Sequence, residues 1–143
     1  MGKFDNKRVR EQDYFEKYDM QKKPVKQKWY LKILAWLICL PVLLSPKRKV
    51  IKIGMKNVKP PYVLLCNHNA FLDFKVTTKA IFPYSANYVV AIDGFIHREK
   101  LLRSVGCICK RKFTNDVLLV RHILYTVTKL KQIVVLYPEA RYS

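Results

Sequence analysis

His68 and Asp73 are the residues whose types and spacing best suit acid–base work in this chain. Four residues separate them, and they straddle a step from the apolar run 62–66 to a helix-forming stretch. Across such a turn a carboxylate reaches back to one imidazole nitrogen, fixes the tautomer and favours the imidazolium. The other nitrogen is left to take a proton from a hydroxyl. That is general-base chemistry without a nucleophilic side chain. The pair has a plainer reading too, in which Asp73 caps a helix and His68 fills the turn.

Two further clusters carry charge. Gly106-Cys107-Ile108-Cys109-Lys110-Arg111-Lys112 runs from an apolar stretch into three cations. Arginine grips a phosphate with a bidentate fork and the lysines add point charge, although a charge run also serves as a solvated face. Glu139 and Arg141 follow the apolar run 133–136 and pair a carboxylate with a cation, an arrangement that also fits an ordinary surface ion pair. The cysteines, Cys39, Cys66, Cys107 and Cys109, lack the C-x-x-C spacing of zinc and redox sites, and no His pair supports a metal. Reduced, cytosol-facing thiols are expected. Cys107 and Cys109 stand two apart in a strand, share a face and fit a mutual disulfide poorly.

The elements that must position these residues are legible as an alternation. Strands are expected at 50–53, 62–66, 88–92, 107–110 and 133–136, with the run at 62–66 reading as buried on both faces. Helices are expected at about 72–81, ended by Pro83, at 98–105, and from Thr114 or Asn115 with Asp116 in the first turn. In the last helix Val117, Val120, Leu124 and Val127 recur at helical spacing and predict a face against the sheet. The fold class is therefore α/β, a mostly parallel sheet with flanking helices. In such sheets ligands gather at the carboxyl ends of strands, where Asn67-His68, Lys110-Arg111-Lys112 and Glu139 with Arg141 all fall.

An N-terminal amphipathic or membrane-associated helix precedes this domain. The segment 29–44, WYLKILAWLICLPVLL, is apolar except for Lys32, carries Trp29, Tyr30 and Trp36, and is bracketed by Lys28 and by Lys47, Arg48 and Lys49. It is short for a spanning helix and contains Pro41, so shallow interfacial insertion fits it, with a buried core helix as the alternative. Residues 1–28 form a charged arm. It lacks the pattern of a cleavable signal peptide, and Asn6 stands where a myristoylation motif wants Ser or Thr. The domain organisation is thus 1–28 arm, 29–46 membrane-associated helix and 47–143 α/β domain.

Half of the 143 residues are hydrophobic, enough for one packed domain, and the formal net charge is +18. An excess of that size calls for an anionic partner, and nucleic acid, anionic headgroups and phosphorylated small molecules all qualify. A nucleic-acid-binding module finds no support beyond charge: the chain has no RNA-stacking strand motif, no GxxG loop and no zinc-finger spacing. No nucleic-acid partner is expected.

Taken in order, these blocks resemble the glycerolipid acyltransferase family that includes lysophosphatidic acid acyltransferases. Asn67, His68 and Asp73 match its Asn-His-x4-Asp block, and Gly106 and Arg111 match its second block. Pro138-Glu139-Ala140-Arg141-Tyr142-Ser143 stands where the family usually reads Pro-Glu-Gly-Thr-Arg-Ser, with Ala140 in place of glycine and Arg141 one position early. The resemblance implies His68 as base, Asp73 as its orienting partner, and substrate binding by Asn67, Gly106, Arg111, Glu139 and Arg141. It implies transfer of a fatty acyl group from acyl-coenzyme A or acyl carrier protein to a hydroxyl of lysophosphatidate, glycerol phosphate or a related lysophospholipid. No metal or other cofactor is expected beyond that co-substrate, and the site is expected on the cytoplasmic side of a membrane. Family members continue past the third block, so a chain ending at Ser143 reads as part of such a protein. A catalytically inactive lipid-binding relative is the alternative.

Overall fold

The apolar run Ile133–Leu136 becomes the centre of the sheet. The computed structural model describes residues 18–47, 49–55, 57–67, 73–111 and 116–138. Along the chain come α1 (Trp29–Leu44), β1 (Val63–Leu65), α2 (Asp73–Ile81), β2 (Ala86–Ala91), α3 (Ile92–Phe95), α4 (Glu99–Ser104), β3 (Ile108–Lys110), α5 (Val117–Thr128) and β4 (Ile133–Leu136). The four strands are all parallel in the order β1-β4-β2-β3. The last strand of the chain is therefore inserted between the first two. Val63 stands opposite Val134 on one side of β4, and Asn87 stands opposite Val134 on the other. Ile133, Val134 and Val135 are fully buried, as expected of a strand covered on both faces and both edges.

Side-chain alternation divides the sheet into two faces. On one, Ala86, Ile133 and Val135 pack with Ile81 of α2, and Tyr62, Leu64, Cys66, Tyr88 and Tyr137 extend the cluster. On the other, Val89, Ile108 and Val134 meet Leu119, Ile123 and Val127 of α5. Beyond β3, Cys109 joins Ile92 and Phe95 with Tyr18 and Met20, so the end of the 1–28 arm contributes to the core. Arg103 holds the arm there: its guanidinium donates to the Asp19 carbonyl at 2.5 Å and to Glu99 at 2.7 Å, and lies over the Tyr18 ring.

Helix α1 packs on the outer side of α2. Its last carbonyls, those of Val42 and Ser45, each accept a 3.0 Å hydrogen bond from the Lys79 ammonium. A cation from α2 thus closes the carboxyl end of α1, where orphan acceptors and the helix dipole favour positive charge. Among the described residues no helix is long and apolar enough to cross a membrane.

Four expectations are corrected. Residues 50–53 form no strand: the Val-Ile-Lys-Ile pattern suits a ladder, but no strand pairs with it. The first strand is not buried on both faces, since Val63 is 44 % and Leu65 63 % exposed on the α5 side, which α5 leaves uncovered by packing over β3 and β4. In α5, Val117, Val120 and Leu124 face outward. A second stripe, Leu119, Ile123 and Val127, takes the sheet; its neighbours His122 and Thr126 are buried with it, the Thr126 hydroxyl donating to the His122 carbonyl. Asp116 is the N-cap of α5, not part of its first turn: its carboxylate accepts from the Leu119 amide at 3.1 Å.

Candidate active site at the strand ends

All strands run the same way, so their carboxyl ends lie along one edge. Leu65 pairs with Leu136, and the Cys66 amide donates to the Leu136 carbonyl at 3.0 Å. Asn67, leaving β1, and Tyr137-Pro138, leaving β4, therefore emerge from adjacent strands, although 70 positions separate Asn67 from Tyr137 in the chain. Asn67 is exposed. His68, Glu139 and Arg141 lie outside the described residues.

Asp73 opens α2 and is half-buried. Its carboxylate is close enough to push the Cys66 thiol and the Tyr137 hydroxyl upward in pKa. In both groups burial is the largest cause, and a hydrogen bond with Thr77 opposes it. Thr77 stands one helical turn after Asp73, and its hydroxyl lies 3.2 Å from that of Tyr137. Asp73, Thr77, Cys66 and Tyr137 thus form a polar patch over the ends of β1 and β4. The thiol and phenol in it are held protonated, which leaves them as hydrogen-bond donors at neutral pH.

Arg111 leaves β3, two inter-strand spacings from β4 and three from β1, about 10 and 14 Å. Alternation from Cys109 starts its side chain on the α2 face, and it is exposed. Its amide donates to the second oxygen of Asp116 at 3.0 Å, so the carboxylate that caps α5 also fixes the end of β3. Gly106 lies elsewhere. It precedes β3 at the opposite end of the strand, and its carbonyl accepts from the Asn87 side chain at 2.6 Å. With φ +85° and only 2.7 Å from an added Cβ to that same side chain, the position requires glycine for backbone and packing reasons. The structure thus brings Asn67 and Asp73 to one edge with Arg111 and leaves Gly106 apart from them.

Sequence reasoning missed Tyr137, Thr77 and Cys66. Two signals pointed to them: Thr77 follows Asp73 at helical spacing, and Tyr137 shares parity with the core residues Ile133 and Val135. On the outer side of α2, Ile33, Trp36, Leu37, Leu40, Leu43 and Leu44 of α1 line an apolar groove of about 520 Å³ together with Phe82 and Lys79. Compared with protein families, curated proteins and solved structures, the chain has no match.

Proposed function

We propose that the protein transfers a fatty acyl group from a thioester, acyl-coenzyme A or acyl carrier protein, to a free hydroxyl of lysophosphatidate, glycerol phosphate or a related lysophospholipid. The observation that carries this reading is the adjacency of β1 and β4. It brings Asn67 and Asp73 to the edge where Tyr137 and Pro138 leave β4, an edge that Arg111 also borders.

His68 takes the hydroxyl proton as the oxygen attacks the thioester carbonyl. Asp73 orients the imidazole and stabilises the imidazolium. The C–O bond forms, the C–S bond breaks, and the proton passes from the imidazolium to the leaving thiolate. Arg111 binds the acceptor phosphate with its fork. The protonated thiol and phenol beside Asp73 bring no competing negative charge to its patch. The apolar groove beside α1 supports a substrate with an acyl chain, and α1 rests at a membrane by shallow insertion, with its site on the cytoplasmic side.

The test is His68→Ala, assayed with radiolabelled acyl-thioester in lipid vesicles. Loss of a general base lowers turnover by about a hundredfold or more while folding and vesicle binding persist. A folded variant with near-normal acyl transfer overturns the mechanism.

A further inference from the structure

Between α1 and β1 the chain makes an excursion held at both ends. The Ser45 carbonyl is fixed by Lys79, and the Tyr62 carbonyl accepts from the Val134 amide at 3.0 Å. In the excursion Ile51 is 81 % and Ile53 88 % exposed, with Val50, Met55 and Val58 also open to solvent. Gly54, at φ +68°, turns the chain where an added Cβ would meet nothing within 4 Å, and the Val58 amide closes the turn on the Met55 carbonyl at 3.2 Å. Two isoleucines are thus carried on an open turn. Exposed lysines, Lys47, Lys49, Lys52 and Lys59, surround them.

The charge pattern names what covers this turn. Between Asp19 and Asp73 the sequence contains eleven Lys and Arg and no Asp or Glu. The same stretch holds the outward apolar side of α1, with Trp29, Leu34, Leu37, Ile38 and Leu44 exposed. Apolar tips among cations, with no acid interspersed, complement an anionic bilayer: side chains enter the acyl boundary and lysines stay at the headgroups. A second copy of the chain would bring this unrelieved positive charge against itself. Nucleic acid would answer the lysines but offer isoleucine tips no apolar medium.

We propose that the 49–55 turn is a second membrane-insertion element, which dips Ile51 and Ile53 into anionic bilayers beside α1. It rests on the membrane placement of α1 proposed above and is independent of the reaction. Two contact points define a plane of docking where one helix alone would let the domain roll about its axis.

The experiment is co-sedimentation of the full chain with vesicles of unreactive diacyl phosphatidylcholine, with and without about a third phosphatidylglycerol. Both isoleucines are exposed, so Ile51→Ser/Ile53→Ser keeps its circular dichroism and thermal midpoint, and its partition onto the anionic vesicles falls by about tenfold or more. Leu37→Ser/Leu44→Ser reports on α1 separately: weakened binding there with none in the isoleucine pair sinks the second element and leaves the first. As a second readout, Ile53→Trp in a Trp29→Phe/Trp36→Phe background is quenched by brominated lipid. The proposal is overturned if that tryptophan stays unquenched, if the isoleucine pair binds like the parent, or if it alters only self-association or oligonucleotide binding.

Discussion

Replacing Asp116 by alanine removes two hydrogen bonds with separate destinations. One, to the Leu119 amide, caps α5, and the other, to the Arg111 amide, ties down the end of β3. An N-cap carboxylate is worth about 1 kcal/mol, and the second bond, whose amide is exposed enough to take a water in exchange, adds about 1 kcal/mol. The sum of about 2 kcal/mol lowers the thermal midpoint by roughly 6 °C for a chain of this size. Asp116→Asn separates the two effects. Its carbonyl still caps α5, but its amide nitrogen cannot accept from Arg111, so it costs only about 1 kcal/mol. Urea unfolding followed at 222 nm measures both, with an unchanged slope certifying that the native state is intact. Under the proposed reaction the acceptor KM rises in both variants, because each releases the strand end that aims Arg111. Equal stability losses for Ala and Asn, or a loss below about 0.5 kcal/mol for Ala, would refute the division of labour.

Arg111→Ala raises the acceptor KM by about tenfold or more, and Arg111→Lys by less, since lysine keeps charge without the fork; equal small effects in steady-state kinetics mark a solvated cation. Burial pushes the Cys107 thiol up to about 12, and burial with the Asp116 charge pushes Cys109 up to about 11 against the Tyr18 hydrogen bond, Arg103 and Arg111. At pH 8 iodoacetamide labels Cys109 about a hundredfold and Cys107 about a thousandfold more slowly than an ordinary exposed thiol, which peptide mass spectrometry reads out, and rates equal to that of an exposed thiol contradict the burial. His122 is held below the usual histidine range by burial, with Asp116 opposing and Arg103 reinforcing. Its neutral form is the one the fold prefers, so its contribution is complete above about pH 6.5 and declines as pH falls below that. His122→Gln flattens stability against pH in the window from about 6.5 downward; an unchanged slope in urea melts removes His122 as the cause.

Strand β4 was legible because four consecutive β-branched or leucine residues admit little else, and it falls where expected, at Ile133–Leu136. Strand β2 starts two residues earlier than the apolar run suggests. Asn87 belongs to it, and this buried polar residue is accommodated by carbonyls of Val25 and Gly106, partners no local pattern reveals. The 50–53 segment has strand chemistry and no strand, since a ladder needs a neighbour and pairing is set by topology. In α5 the expected stripe Val117-Val120-Leu124-Val127 packs on the sheet only at Val127, and Leu119 and Ile123 take the other inward places. For the site, residue types and their places after strands were readable, whereas the strand order was not. Nothing local states that the last strand inserts beside the first, yet that insertion alone brings Asn67 next to Tyr137-Pro138. Gly106 shows the converse: a glycine in motif-like spacing is explained by the close approach of Asn87 and Val25.

Helix α2 links these observations. At its first residue Asp73 borders the ends of β1 and β4, and near its last turn Lys79 closes α1 while the ring of Phe82, just beyond it, meets that of Trp36 at 5.0 Å and a 53° tilt. Six helical steps lead from Asp73 to Lys79, about 9 Å of rise. Under the proposed reaction, a chain lying in the groove beside α1 has only that distance to cover before its reacting carbonyl or hydroxyl meets the Asp73 end, well within a long fatty chain. The same short helix fixes how far the Asp73 end stands from the exposed apolar side chains of α1. Loosening the Lys79 cap therefore acts on reach before it acts on chemistry: Lys79→Met keeps the stem, abandons the Val42 and Ser45 carbonyls, and impairs long-chain acceptors while water-soluble glycerol phosphate is spared.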